Sequence, residues 1–225
     1  MKSSLQGIED VPIYGTVEAA RYVRVPYETL RYWTLRSESV PPLIELAASR
    51  PPRLSFSNLL ECHILSATRG FYRLGVPKVR RALKTVHRLF PSLLHPLIDL
   101  DFQTGSVDLF IQQIPDVLID VSKNGQLALK EVLSIHLQRI ERDPHGPSSF
   151  FPFVEARSST EPRIIAMNPA VAFGKPVIAG TGISTGVIAT RFHARESLGE
   201  LAKEYALPEA KLEEAVRWES RDVAA

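Results

Sequence analysis

Six side chains in one ten-residue stretch have the types and spacing of a DNA-reading surface. They are Tyr27, Glu28, Thr29, Arg31 and Tyr32, with Arg36 just beyond. An arginine fork matches the edge of guanine, a carboxylate accepts from cytosine, and hydroxyls pair with several base edges. Thr16, upstream, has a hydroxyl suited to a helix start. Arg50 and Arg53 sit in residues 37–54, which hold four prolines, and suit contact with phosphate.

Other chemistries have weaker claims. Asp99, Asp101, Asp108, Asp116 and Asp120 invite a two-metal nuclease reading. Alternation in a hairpin would place Asp99 and Asp101 on one exposed face, and solvation explains them more simply. The histidines at 63, 87, 95, 136, 145 and 193 have no metal-ligand spacing. The glycines at 174, 180, 182 and 186 fail as a phosphate loop. Thr185 stands where a dinucleotide fingerprint needs glycine, and Pro176 follows Gly174-Lys175 where a P-loop needs Ser or Thr. The single Cys62 excludes an intramolecular disulfide and a cysteine zinc cluster, and reads as a small buried residue. No nucleophile–base pair stands out. The expectation is a non-enzyme with no catalytic residue, metal or cofactor.

The reading surface needs elements to aim it. Tyr14 to Trp33 predicts two short helices joined by a tight turn. Thr16 is the expected N-cap of the first, and Pro26 opens the second. Val17, Ala20, Val25, Leu30 and Trp33 are the expected seam, with Ala19 and Ala20 allowing close crossing. Residues 37–54 predict a loop or a short β-hairpin. A helix capped by Ser55 or Ser57 follows, with an apolar face from Leu59, Leu60, Ile64, Leu65 and Ala67 and an end near Gly70. Another, opened by Pro77, carries Val79, Leu83, Val86 and Phe90 at helical spacing.

Further on, Leu97 to Ile111 predicts a β-hairpin, with one more strand possible over 117–121. Asn124-Gly125 reads as a turn, and Leu129 to Ile140 as a helix reaching about Arg142. Residues 143–162, rich in proline and serine, read as a linker. Ile164-Ile165 and Val177-Ile178 predict short strands. Helices over about 197–205 and 208–218 would bring Leu198, Leu201, Ala202, Tyr205, Leu212, Ala215 and Val216 to one core. The expected class is α+β, mostly α. Its parts are a winged helix-turn-helix (1–90), a connecting β-hairpin and helix (91–142), the linker (143–162), and a small β plus helical, helix-turn-helix-like module (163–225).

With 225 residues and 44% apolar content, the chain fits two small globular domains. No apolar run is long enough to cross a membrane and no signal-peptide pattern opens the chain, so a cytoplasmic protein is expected. The net charge of +2 is unevenly spread: residues 1–90 carry +7, residues 91–160 carry −4 and residues 161–225 carry −1. The positive end is the one with the reading surface, as phosphate attraction requires. Arg80, Arg81 and Lys84 read as a solvated face, or phosphate contacts at most. Glu200, Glu204, Glu213 and Glu214 suit the C-terminal helices to protein contact or dimerisation rather than to DNA.

Two resemblances add to this reading. Leu30-Arg31-Tyr32-Trp33, Arg53-Leu54-Ser55-Phe56-Ser57-Asn58-Leu59 and Arg69-Gly70-Phe71-Tyr72-Arg73-Leu74-Gly75-Val76-Pro77-Lys78-Val79 make residues 14–90 similar to the DNA-binding domain of MerR-type winged-helix regulators. The long coiled-coil dimerisation helix of those proteins does not follow. Asn168 to Ile183, with its Gly-Lys-Pro-Val-Ile-x-Gly-Thr run, and Glu196 to Tyr205 resemble a short domain of unknown function common in bacterial antitoxin operons. Here Asn168 replaces the usual Asp and Gly182 the usual Arg. Together the two matches resemble VapB-type antitoxins. That resemblance implies neutralisation of a PIN-type ribonuclease toxin, binding of double-stranded operator DNA to repress the protein's own operon, and a homodimer. The alternatives are a stand-alone regulator whose residues 91–225 sense a small ligand and, last, the aspartate nuclease.

Overall fold

The structure is a computed structural model that describes residues 7–35, 41–72, 76–99, 123–154 and 160–221. The fold is mixed α+β, and among the described residues helices outweigh three small antiparallel sheets.

The first sheet orders β1 (Tyr14–Gly15), β3 (Pro52–Leu54) and β2 (Ala48–Ser49), with Tyr14 opposite Leu54 and Ala48 opposite Arg53. Residues 37–54 therefore include a hairpin, and its inner strand pairs with the strand that leads into α1 (Thr16–Tyr22). α2 (Tyr27–Thr34) follows after a four-residue turn. Pro26 is its N-cap, at φ −56°. Ala19, Ala20, Tyr22, Val23, Val25, Leu30 and Trp33 are buried between these elements.

Two expectations about α1 fail. Val17 is 69% exposed, because α1 turns Ala19, Ala20, Tyr22 and Val23 to the core and leaves Val17 facing the hairpin. Thr16 is the first helical residue, and the N-cap is Gly15. Glu18 does the capping instead, as its Oε2 accepts the Gly15 N–H at 3.3 Å.

α3 (Phe56–Tyr72) starts at a reciprocal cap. Ser55 Oγ accepts the Asn58 N–H at 3.1 Å, and Asn58 Oδ1 accepts the Ser55 N–H at 3.3 Å. Ser55, not Ser57, is thus the cap. Asn58 also fixes the base of the hairpin: Oδ1 accepts from Ala47 N–H at 3.0 Å and Nδ2 donates to Glu45 O at 2.9 Å. The helix ends at Tyr72, close to the expected end near Gly70. α4 (Val76–Leu89) buries Val79, Leu83 and Val86 as its spacing predicts.

The middle of the chain departs most from expectation. Leu97 and Ile98 are both buried in a turn, with the Ile98 and Asp99 amides donating to His95 O, so the alternation there is not a strand. The remainder of the expected hairpin, and Val117–Val121, lie outside the described residues. Asn124 and Gly125 belong to α5 (Lys123–Leu137), which packs along α3 and ends before Arg142. β4 (Ile140–Asp143) and β5 (Gly146–Phe150) then form a hairpin whose turn and second strand lie in the stretch that reads as a linker. Phe150, Phe153 and Val154 are buried, which anchors that stretch to the core.

In the C-terminal part strands form at both expected places, β6 (Ile165–Ala166) one residue later than expected and β7 (Val177–Ile178) as expected, and the two pair antiparallel. α6 (Thr185–His193), unanticipated, packs extensively against α8 (Glu209–Ser220). α7 (Leu198–Tyr205) carries a full capping box between Ser197 and Glu200. Leu201, Leu212, Ala215 and Trp218 are buried, with Leu198, Ala202, Tyr205 and Val216 packed around them. Among the described residues no helix is long and apolar enough to cross a membrane.

Candidate nucleic-acid interface

α2 is a helix with one fully buried edge and one open face. Leu30 and Trp33 have no exposed surface, and each buried side chain of this size contributes about 1.5–3 kcal/mol. Thr34 Oγ1 donates to Leu30 O at 3.0 Å, and Trp33 O accepts the amides of Leu43 and Ile44 at 2.8 and 3.2 Å. The helix is therefore pinned along its inner side and at its end. On the outer side Tyr27 (42% exposed), Glu28, Arg31 and Tyr32 (60% exposed) face solvent, while Thr29 is half-buried. Arg31 Nη1 lies 3.4 Å from Glu28 Oε2. Both groups are exposed, so the pair is weak and screened, and it leaves the arginine available.

The other sequence-predicted residues divide. Arg50 and Arg53 are exposed on the hairpin, and Arg53 Nη1 donates to Ile13 O at 3.3 Å, which ties it to the residue just before β1. Thr16 and Arg53 meet across an open groove of about 600 Å³ between the start of α1 and the hairpin, which Val17, Arg21, Pro51 and Pro52 also line. Arg36 lies outside the described residues. So the fold gathers Tyr27, Glu28, Arg31 and Tyr32 on one helix face, and Thr16 with Arg53 in a neighbouring groove.

Asp99 is not a solvated acid. It accepts the His95 amide at 3.0 Å and faces Arg142 at 3.6 Å. Asp101, Asp108, Asp116 and Asp120 lie outside the described residues. His95 is held between two carboxylates, with Nδ1 3.1 Å from Glu61 and Nε2 3.1 Å from Asp10. Burial alone would lower its pKa, but Glu61, with Asp10 and Asp99, outweighs that and lifts it to about 9. Both ring nitrogens then donate, so the charged imidazolium clasps the N-terminal turn to α3. Glu61 is itself pushed up by burial, partly offset by His95 and Asn58. Among the described residues no group of three or more His, Cys, Asp or Glu side chains has the geometry to hold a metal ion.

Sequence reasoning missed the residues that tie β1 and α1 to the C-terminal part. Tyr14 Oη donates to Gly174 O at 2.8 Å, and burial raises the Tyr14 pKa far above the ordinary phenol value. Arg21 pairs with Glu219 at 3.1 Å. Both contacts join residues more than 150 positions apart, and no local pattern announces them.

The C-terminal acids are largely spoken for. Glu204 receives Arg191 Nη1 at 2.6 Å, and Glu213 and Glu214 flank Arg217 at 2.8 and 2.5 Å.

Known proteins bear on both parts of the chain. Residues 165–218 match a family described as a protein of unknown function, DUF433. A Mycobacterium tuberculosis (strain ATCC 25618 / H37Rv) protein named "Putative antitoxin VapB45" is 25% identical over 231 residues, which is 92% of this chain and 93% of that one. This chain is similar to that protein along nearly its whole length. The crystal structure of Rv2018 from Mycobacterium tuberculosis shares the fold, with a TM-score of 0.69 at 20% identity, over 92% of this chain and 98% of that one.

Proposed function

We propose that this protein is the antitoxin of a type II toxin–antitoxin module. In this reading it binds and neutralises a PIN-type ribonuclease toxin, and as a homodimer it represses its own operon. α1 and α2 serve as a helix-turn-helix, the β2–β3 hairpin as its wing, and Tyr27, Glu28, Thr29, Arg31, Tyr32 and Arg36 as the groove-reading set. Thr16, Arg50 and Arg53 take phosphates.

The observation that carries the DNA half is the open face of α2. A helix fixed by two fully buried side chains displays two tyrosines, a carboxylate and an available arginine on its other side. A helix in a major groove needs that arrangement. The +7 charge of residues 1–90 supports the same end of the molecule. The toxin half is supported by the similarity, over 92% of this chain, to the protein named "Putative antitoxin VapB45". The largely self-neutralised C-terminal acidic surface suits contact with protein more than with phosphate.

The test has two arms. Gel-shift titration against the duplex upstream of the gene should give a specific complex. Arg31→Ala should weaken it by about 1–3 kcal/mol, and Arg53→Ala should lower its salt dependence. Co-expression with the neighbouring gene product should yield a stable, non-toxic complex. Unchanged affinity for Arg31→Ala would remove the reading face, and a neighbour that stays toxic and unbound would remove the antitoxin role.

A further inference from the structure

The turn between α1 and α2 places an arginine where backbone geometry favours glycine. The Val25 N–H donates to Ala20 O at 3.1 Å and the Arg24 N–H to Arg21 O at 3.3 Å, with Arg24 at φ 57°. This is a Schellman end, and its left-handed position is usually glycine because a Cβ is penalised there. The Arg24 side chain spans to the far end of the sequence. Its Nη2 donates to Trp218 O at 2.8 Å and its Nη1 to Arg221 O at 3.0 Å, and the guanidinium carbon lies 4.2 Å from the Trp218 ring centroid.

Those two carbonyls close the last turn of α8, where a helix has acceptors without intrahelical partners. A cation there also meets the negative end of the helix dipole. Burial, with Arg221 and Arg21 nearby, lowers the Arg24 pKa to about 10, which leaves it charged at neutral pH. Arg21 reinforces the contact through Glu219, which also accepts the Thr185 hydroxyl.

We infer that Arg24 is a positioning residue for the reading helix: by capping α8 from within the α1–α2 turn, it locks the angle of α2 to the C-terminal helices. The inference rests on the DNA-binding reading above and adds a residue that touches no base or phosphate. α2 starts three residues after Arg24, so the clamp sets where Tyr27 and Arg31 point. The C-terminal helices are then part of the DNA-binding unit, although their own surface faces away from phosphate in charge.

The test uses the full chain carrying Arg24→Gly, which suits the left-handed backbone, and Arg24→Lys, which keeps the charge but cannot span two carbonyls and stack on Trp218. Hydrogen exchange should rise about tenfold or more in residues 25–34 and 217–221 of both variants. Affinity for the upstream duplex should fall about tenfold in both, with an unchanged slope of log K against log salt. If Lys restores affinity and Gly lowers the slope by about one phosphate, Arg24 is a phosphate contact and the inference is overturned. Unchanged exchange in both segments also overturns it. If the wild-type chain ignores its upstream duplex, the DNA reading fails, and exchange alone still decides the clamp.

Discussion

Replacing Arg139 by methionine tests whether the proline- and serine-rich stretch after α5 is a tether or part of the core. Arg139 is 3% exposed. Its Nε donates to Phe151 O at 2.6 Å and its Nη1 to Glu161 O at 2.7 Å, while Nη2 reaches Pro152 O and Pro162 O at 3.3 Å each. The guanidinium carbon also lies 4.7 Å from the Phe153 ring centroid. One side chain thus gathers both ends of 151–162. The two short, charge-assisted bonds contribute about 1.5 kcal/mol each at the low end, and the two long ones about 0.5 kcal/mol each, for a gross total of about 4 kcal/mol. Methionine removes the cost of burying a cation, which gives part of this back. The carbonyls of Glu161 and Pro162 regain water in the variant, whereas that of buried Pro152 does not. The expected net loss is about 3 kcal/mol. Urea unfolding followed by tryptophan fluorescence should show the midpoint falling by about 1 M with an unchanged slope. Proteolysis between 151 and 162 should accelerate as well. A loss below about 1 kcal/mol would mean that the stretch is held by other contacts and that the four-carbonyl clamp is incidental.

Three further outcomes are expected. His95 has its pKa raised to about 9 from 6.5, so its stabilisation is complete below pH 6.5 and disappears as pH climbs through 9. Discounted for the part of the ring that water reaches, it amounts to about 1–2 kcal/mol, and chemical denaturation between pH 6 and 10 should show that fall in wild type and a flatter profile in His95→Gln. Gly174→Ala should destabilise by about 2–3 kcal/mol on thermal melting. Gly174 sits at φ +74° and a Cβ there would lie 2.3 Å from Tyr14 Oη, whereas at Gly180, φ +78° with open space, alanine should cost only about 1–2 kcal/mol. Cys62 is fully buried and burial pushes its thiol well above the usual range, so Ellman's reagent should label it only after unfolding.

What the sequence determined by itself is what neighbouring residues decide. Pro26 and the apolar spacing of Leu30 and Trp33 marked α2, the polar residues between them marked its open face, Ser55 or Ser57 marked the start of α3, and apolar spacing marked a helix near α7. In each case a cap, a proline or a 3.6-residue period acts within one or two turns of chain. The burial of Cys62 and the strands β6 and β7, though not their pairing, were legible from similarly short-range patterns. Tertiary structure decided the rest. Asn124-Gly125, a turn by local preference, lies inside α5, which packs along α3. The 143–162 stretch has little periodicity, yet Arg139 and the burial of Phe150 and Phe153 order much of it. Val17 had the right spacing for the core, but the core filled from Ala19, Ala20, Tyr22 and Val23 instead. Arg24 carries no local signal that sets it apart from the other cations near α2. Its partners, Trp218 and Arg221, lie 194 and 197 positions away, and only chain folding brings a guanidinium to a helix end that distant.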